Sequence, residues 1–582
     1  MRILLLTHAF NSLTQRLAAE LQQRGHETSI EFDIADSVAE EAVALFRPEL
    51  IIAPYLRRAI PESIWAHHVC LVVHPGIVGD RGPSALDWAI QSGETEWGVT
   101  VLQAEAEMDA GPVWASIEFS LRAARKSSIY RNEVTQAATQ AVLLAVERFA
   151  AGDFVPTPPA ARSDVRGSLR PLMQQADRAI DWQRNDTASI VRKINAADGF
   201  PGVADSLFGQ PCHIFDAWPE KVGAGGTADA RPGDVIACRE TALLRLTVDG
   251  AVWIGHARRP ESIKLPATLA FAVESAALPE AKLDDWWRIG HDTWQDIAYE
   301  ESAGVGFLGF EFYNGAMSTT QCRRLRQALA WAKQRPVKVL VLLGGADFWS
   351  NGIHLNVIEA ASLNDGSPAD ESWNNINAMN DLALDLIETG DRITVAALAG
   401  NTGAGGCFLA RAADLVWVRE GVMQNPHYKN MGNLYGSEYW TYLLPRRVGG
   451  QGALDIMRNR QPLTAQAAVA TGFSDACLAG DALAFRIDVA RRAMELAAAA
   501  DLADRLAAKR ETRARDEATK PLAAYRAEEL AHMRRNFYGF DPSYHVARHH
   551  FVRKSLASWT PRHLARHRDL GWNCLLYTSR CV

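Results

Sequence analysis

Strand-length apolar runs, each followed by a turn and an amphipathic helix, recur in two separate blocks of this chain. That alternation limits its fold more than any other feature. In the first block, residues 1 to about 160, Arg2–Thr7 reads as a buried strand. Thr14–Arg24 reads as an amphipathic helix closed by Gly25, and Leu50–Pro54 and Cys70–Val73 as further strands. Such βαβ alternation argues for a Rossmann-like, doubly wound parallel sheet, with ligands at the carboxyl ends of the strands. The second block starts at Gly304, carries strands at Val339–Leu343 and Ile393–Leu398, and turns helical and alanine-rich after about 480. Between the blocks, over 165–270, a helix at Thr187–Ala197 precedes short strands punctuated by Gly and Pro. That pattern suggests a small β-barrel-like (OB-type) module. Pro156-Thr157-Pro158-Pro159 reads as a linker, and the acidic, Trp-rich 271–300 as a connector. The expected class is multidomain α/β, with domains at 1–160, 165–270 and 301–565, the last ending in helices. Residues 573–582 break with the preceding composition and read as a non-native tail. No internal repeat is present.

Composition narrows the function classes. With 61 basic against 68 acidic residues the net charge is −7, unlike the basic domains that bind nucleic acid in bulk. Eight scattered cysteines form no CxxC and no Cys/His spacing, so neither a metal site nor a disulfide framework is expected. A reducing cytoplasm is the expected compartment. The apolar runs are strand-length, too short to cross a membrane, and the first residues lack the features of a signal peptide. Small-molecule substrates are the expected partners.

Chemistry concentrates in a few loops. In the first block, Val73-His74-Pro75-Gly76 follows a strand, and Gly79-Asp80-Arg81-Gly82-Pro83 precedes a helix at Ser84–Ile90. Trp97-Gly98-Val99-Thr100 precedes another strand, and Met108-Asp109-Ala110-Gly111-Pro112 ends a loop. A lone histidine after a strand is more often a packing residue. Paired with a loop aspartate, it can form an acid/base couple. The turn Asn11-Ser12-Leu13-Thr14-Gln15-Arg16 opens a helix. It can serve either as an anion site through free backbone N–H groups or as a plain cap. Arg131 is a further candidate phosphate partner, the alternative being a solvated helix residue.

Taken in order, these motifs resemble the N10-formyltetrahydrofolate formyltransferase family over about residues 1–120. Downstream, Gln175–Trp182, Ile190–Ile194 and Phe200-Pro201-Gly202 look like the carboxyl-terminal module of methionyl-tRNA formyltransferases. The resemblance implies that His74 holds the formyl oxygen and that Asp109 manages the proton of the attacking group. It also implies that Asn11, Ser12 and Gln15 lie near substrate phosphate, with Arg131 a further candidate beside them. One departure stands out: the family's Asn two residues before the histidine is here Val72. A donor for the tetrahedral intermediate is missing, so either another donor substitutes or the acceptor is not the usual amine. A thiol fits the second option, because a thiolate needs less help to attack.

In the second block, two strands lead into paired turns, Gly344–Leu355 and Gly400–Cys407. Two backbone N–H groups facing one carbonyl make an oxyanion hole, and glycine permits close approach. With Leu443-Leu444-Pro445-Arg446-Arg447-Val448-Gly449, the pair resembles the crotonase (enoyl-CoA hydratase/isomerase) superfamily over about 300–485. That implies Ile353 and Gly405 N–H as oxyanion donors and an acyl-CoA ligand. The hydratase glutamates are absent: Phe408 and His427 stand in their places. Tyr428, and Glu438 at the opening of the next helix, are candidates for a proton-transfer pair; the alternative is a packed Tyr and a Glu complementing the helix dipole. His354 and His427 are further candidates. Arg553 and Lys554, in the basic stretch Arg548–Lys554, are candidate contacts for an anionic CoA tail, against a solvated charged face.

Together the halves resemble the HypX (HoxX) family of hydrogenase maturation factors across nearly the whole chain. The family's Gly-Asp-Arg-Gly-Pro-Ser and Asn-Pro-x-Tyr stretches stand here as Gly79–Ser84 and Asn425–Tyr428. The resemblance implies formyl transfer from N10-formyltetrahydrofolate to coenzyme A, then cleavage of formyl-CoA into carbon monoxide and CoA. The carbon monoxide would become an iron ligand of nickel–iron hydrogenase, with hydrogenase maturation proteins as possible partners. Two other readings stay open: a formyltransferase acting on an amine with a thioesterase-like second half, and a non-catalytic maturation partner.

Overall fold

The structure, a computed structural model, describes residues 1–220, 229–281, 283 and 293–569. The tail at 573–582 and residues 284–292 of the connector lie outside the described residues. Two compact units form. The first comprises Met1–Ala179, Arg192–Val203 and the chain from Leu556 onward; the second comprises Ile180–Val191 and Ala204–Ser555.

The first unit is built on six strands: β1 (Arg2–Thr7), β2 (Glu27–Phe32), β3 (Leu50–Tyr55), β4 (Cys70–His74), β5 (Glu96–Gln103) and β6 (Val113–Ser120), in the order β2-β1-β3-β4-β5-β6. The apolar runs of β1 and β3 are buried on both faces, as helices on either side require. The expected parallel sheet is only half the story. β1 to β4 are parallel, whereas β5 and β6 run antiparallel to their neighbours. Only the loop 104–112 joins β5 to β6, and a connection without a crossover helix forces an antiparallel return. Trp97–Thr100 lies inside β5 rather than before it. The stretch read as a linker is docked: the Val113 N–H donates to the Thr157 carbonyl, and Arg81 exchanges backbone hydrogen bonds with Ser168 and Arg170. Residues 556–569 also belong to this unit, sealing the open edge of β2. The Ile30 N–H donates to the Leu564 carbonyl, and the Phe32 N–H to Thr560 Oγ1.

The second unit holds the rest. Strands β7 (Val203–Leu207), β8 (Gln210–Glu220), β9 (Val235–Arg239), β10 (Ala242–Leu246), β11 (Ala251–Arg258) and β12 (Leu265–Pro266) form one sheet, order β7-β8-β11-β10-β9, with β12 on β11. The end of the expected connector is part of this module: Trp294 is buried against Trp253, and Arg239 donates to the Trp294 carbonyl. A third sheet then starts at Ile297, ahead of the expected Gly304.

Twelve strands follow: β13 (Ile297–Ser302), β14 (Val305–Phe310), β15 (Ala316–Met317), β16 (Val339–Gly344), β17 (Phe348–Ser350), β18 (Gly352–Ile353), β19 (Ile393–Leu398), β20 (Asn401–Gly403), β21 (Leu415–Arg419), β22 (Met423–Asn425), β23 (Leu463–Thr464) and β24 (Ala476–Leu478). The main sheet runs β13-β14-β16-β19-β21-β24, and the turn strands form a second layer, β17-β20-β22-β23, beside the pair β15-β18. Each long parallel strand therefore hands the chain to a short strand in the second layer, which stacks the two glycine-rich turns side by side. Helices Ala482–Ala498, Leu502–Thr519, Leu522–Tyr538 and Ser543–Arg553 close the unit. Among the described residues, no helix is long and apolar enough to cross a membrane.

Candidate active sites

In the first unit, His74 ends β4 and is buried. The turn after it is held from β5. Thr100 Oγ1 donates to the Gly76 carbonyl at 2.8 Å and the Trp97 indole to the Pro75 carbonyl at 2.9 Å. The Trp97–Thr100 motif is thus the clamp on the histidine loop. His74 Nδ1 lies 3.5 Å from Asp109 Oδ2. Asp109 sits in the left-handed region at φ 57°, which Asp and Asn tolerate better than other non-glycine residues. Its Oδ2 accepts the Gly82 N–H at 3.1 Å, tying two of the motif loops together. Val72, two residues before His74 on the same strand, projects to the same face and offers no donor.

Asn11 is the cap of the helix Ser12–Gln23: its Oδ1 accepts the Thr14 N–H and hydroxyl, each at 3.0 Å. Its amide also reaches the Tyr130 hydroxyl at 3.4 Å. Tyr130 opens a π-helical segment, Tyr130–Val134, which carries the half-buried Arg131. The structure therefore brings the Asn11 turn and the Arg131 segment together. Ser12 is the first helical residue, and Gln15 Nε2 donates back to the Phe10 carbonyl at 2.9 Å.

In the second unit, Gly405 begins a helix, Gly405–Arg411, so its N–H has no acceptor within that helix. A Cβ placed on Gly352 would lie 3.2 Å from the Gly405 nitrogen, and one on Gly405 would lie 2.7 to 2.9 Å from the Glu438 carboxylate atoms. The Ile353 turn, the Gly405 turn and Glu438 are thus packed closely together, and the missing side chain at 405 is what leaves room for the Glu438 carboxylate. Tyr428 donates to Glu438 Oε2 at 2.7 Å and to the Ser437 carbonyl at 3.1 Å, while its ring stacks on Phe408 at 5.6 Å. Phe408, in the place of a hydratase glutamate, is a platform for that phenol.

Glu438 does not open the helix as expected. The helix starts at Trp440, and Glu438 and Tyr439 are both left-handed, at φ 57° and 59°. Two buried side chains hold this unusual pair. Asn380 Oδ1 accepts the Glu438 N–H and the Ser437 hydroxyl, and Glu529 accepts the Tyr439 and Thr441 N–H groups. Burial lifts the Glu438 carboxyl to about 7 and the Glu529 carboxyl to about 8, and burial beside Glu438 pushes the Tyr428 phenol well above its usual range.

The other candidates fall elsewhere. His354 caps the helix Leu355–Ala360 with Nδ1, and burial depresses it to about 3, which keeps it neutral. His427 is buried beside Tyr428. Within the basic stretch, Arg548 and His549 pair with Glu359, whereas Arg553 and Lys554 are exposed at the helix end. Sequence reasoning missed Asp80, whose carboxylate lies 3.6 Å from His74 Nε2, Asn380, which braces Glu438, and Glu529, which braces Tyr439 beside it.

Comparison with known proteins agrees with this layout. Residues 12–146 match the family profile for formyl transferase, 172–273 that for the formyl transferase C-terminal domain, and 309–560 that for enoyl-CoA hydratase/isomerase. The methionyl-tRNA formyltransferase of Roseiflexus castenholzii is 29% identical over 40% of this chain and 73% of its own. The chain thus joins formyltransferase domains to a crotonase-fold domain. The hydrogenase maturation factor HoxX of Bradyrhizobium diazoefficiens is 54% identical over 98% of this chain and 97% of its own. HypX from Aquifex aeolicus, solved with tetrahydrofolic acid, is 46% identical, with a TM-score of 0.93 over 98% of this chain and 100% of that one. The chain belongs to the HypX/HoxX family of hydrogenase maturation factors.

Proposed function

We propose that this protein makes carbon monoxide for an iron ligand of nickel–iron hydrogenase in two steps. The first unit transfers formyl from N10-formyltetrahydrofolate to coenzyme A. The second breaks formyl-CoA into carbon monoxide and CoA. In the first step His74 donates to the formyl oxygen and Asp109 takes the proton of the attacking thiol. The bound folate of the Aquifex relative supports this choice of donor. Asn11, Ser12, Gln15 and Arg131 bind phosphate beside it, and the exposed Arg553 and Lys554 remain candidates for the CoA tail.

The observation that carries the second step is the buried Tyr428–Glu438 pair beside the Gly405 turn, where both hydratase glutamates are replaced. The thioester carbonyl would lie beside Glu438, its oxygen polarised by the Ile353 and Gly405 N–H groups. Glu438 takes the formyl proton. The C–H pair stays on carbon, the C–S pair leaves with sulfur, and Tyr428 relays the proton to the thiolate. Near neutral pH a carboxyl at about 7 can both accept and return that proton.

The test supplies formyl-CoA directly and traps carbon monoxide with reduced haem protein, alongside a separate assay of tetrahydrofolate release with CoA as acceptor. Gas release and CoA-dependent folate turnover are expected. Consumption of the donor only with an amine acceptor would favour the amine formyltransferase reading instead.

A further inference from the structure

The buried carboxylate of Asp80 has no role in the chemistry above, and its surroundings are unusual. It lies in the Gly79–Pro83 loop, 1% exposed, and among the described residues no hydrogen-bond partner reaches either oxygen. Its nearest cation-forming neighbour is His74, with Nε2 3.6 Å from Oδ1. A carboxylate taken out of water without donors is costly to keep, and a catalytic role is one of the few reasons a fold keeps one.

The loop is built to put it there. The Asp80 N–H donates to the Ile77 carbonyl in a tight turn, and a Cβ on Gly76 would stand 2.5 Å from His74 Nε2 and 3.0 Å from the Asp80 Cβ. Gly76 is therefore what leaves the imidazole and the Asp80 carboxylate open to one another. On the far side, a Cβ on Gly167 would run into the Asp80 backbone, so the docked 166–170 segment closes over the turn. His74 is bracketed, with Asp109 at Nδ1 and Asp80 at Nε2.

We infer that Asp80 is a positioning residue for formyl transfer, orienting the His74 imidazole from its Nε2 side and stabilising it as it donates to the developing oxyanion. This rests on the formyl-transfer reading of the first unit. With Val72 providing no donor, the imidazole carries the oxyanion load alone, and its orientation matters correspondingly more. A carboxylate behind an imidazole supplies that orientation in acyl-transfer triads. The present separation is slightly beyond a hydrogen bond, as catalytic contacts often are before substrate binds.

The experiment compares wild type with Asp80→Asn in the full-length protein. It measures kcat and KM for tetrahydrofolate release from N10-formyltetrahydrofolate with CoA, the thermal unfolding midpoint, and carbon monoxide release from supplied formyl-CoA. Positioning predicts a kcat lower by about 10²-fold, KM values within about twofold, an unfolding midpoint unchanged or raised, and normal carbon monoxide release. A near wild-type kcat, a change confined to KM, or a lowered unfolding midpoint overturns the assignment. Asp80→Ser, which cannot overpack the site, must behave the same way if Asp80→Asn fails to fold, and failure of both to fold assigns Asp80 a structural role instead. A wild type that releases no tetrahydrofolate defeats the formyl-transfer reading itself. A working wild type with an unimpaired Asp80→Asn variant defeats only this inference.

Discussion

The carboxylate of Glu438 lies 2.7 to 2.9 Å from where a Cβ on Gly405 would stand. The proposed proton-transfer group and the turn proposed to offer a backbone N–H therefore share one small space, and the absence of a side chain at 405 is what lets them share it. Gly405 has ordinary helical geometry, so a substitution there acts through sterics rather than backbone strain. Gly405→Val is expected to abolish carbon monoxide release while tetrahydrofolate release continues. Formyl-CoA should then accumulate, detectable by mass spectrometry; unimpaired breakdown would show that the site lies elsewhere.

The Tyr428–Glu438 pair makes a second prediction. Tyr428→Phe and Glu438→Gln should each slow carbon monoxide release by about 10²–10⁴-fold, with the double variant little worse than either single, because members of one relay act as a unit. If ionised Glu438 takes the formyl proton, the wild-type rate rises as pH passes about 7, where burial has placed this carboxyl. That limb should vanish in Glu438→Gln. A rate of gas release flat between pH 5.5 and 8.5 in the wild type would remove Glu438 as the base.

The same burial has a consequence for stability. Glu438 and Glu529 keep their protons in the folded protein up to about 7 and 8, while in the unfolded chain each titrates near 4.5. Between those limits the folded state binds more protons, so stability falls as pH rises, by roughly 1.4 kcal/mol per pH unit for each such group. Glu438→Gln should flatten the decline between pH 5 and 7, leaving the inactive variant more stable than wild type at pH 8. Denaturant titrations across that range check it. An equally steep decline in the variant would contradict the burial argument.

In the first unit, Asp109→Asn is expected to abolish tetrahydrofolate release while preserving the fold. Asn tolerates the left-handed backbone at 109 and can still accept the Gly82 N–H. It cannot accept a proton, so a loss of about 10²–10⁴-fold is expected. Unchanged circular dichroism with near wild-type turnover would exclude Asp109 from the step.

Much of this architecture was legible locally. Ile393–Leu398 is buried at every position, and a six-residue run that is apolar but for Thr394, set between turn residues, has few other fates. The pairing of Tyr428 with Glu438 could be suspected because two catalytic carboxylates had been replaced nearby. What escaped reading was non-local. Nothing in the sequence announces that Glu438 and Tyr439 take left-handed backbone, because the cause is Asn380 and Glu529, one 58 residues before Glu438 and the other 90 residues after Tyr439. Asp80 reads as an ordinary turn residue until the fold sets it against His74. The antiparallel pairing of β5 with β4 is not marked in the sequence, since a helix joins those two strands as it would in a parallel unit, whereas the short loop at 104–112 does point to an antiparallel β5–β6 return.

The last described residues complete the first unit, and the contact that does so is testable. Glu31, on the edge strand β2, is 0% exposed. His567 Nε2 lies 2.9 Å from its Oε2, Arg568 donates to the same oxygen at 2.8 Å, and Thr560 donates to Oε1. His567 Nδ1 also meets Ser29 Oγ at 2.7 Å. Burial alone would raise the Glu31 carboxyl, but hydrogen bonds from His567, Thr560 and Arg568 outweigh it and hold the group below its ordinary value. The stabilisation is therefore present above about pH 4.5 and is lost as pH falls below it. His567→Ala removes one hydrogen-bond partner from a buried carboxylate that Thr560 and Arg568 still hold, a loss of about 1–3 kcal/mol. The expected outcome is a lowered unfolding midpoint for the first unit and loss of tetrahydrofolate release on mild heating, while carbon monoxide release from supplied formyl-CoA persists. Replacing Glu31 as well, Glu31→Leu with His567→Leu, should recover much of the loss, because the buried carboxylate is gone and Arg568 keeps its pair with Glu41. Equal stability of His567→Ala and wild type at neutral pH would show that the carboxyl-terminal segment does not hold the unit together.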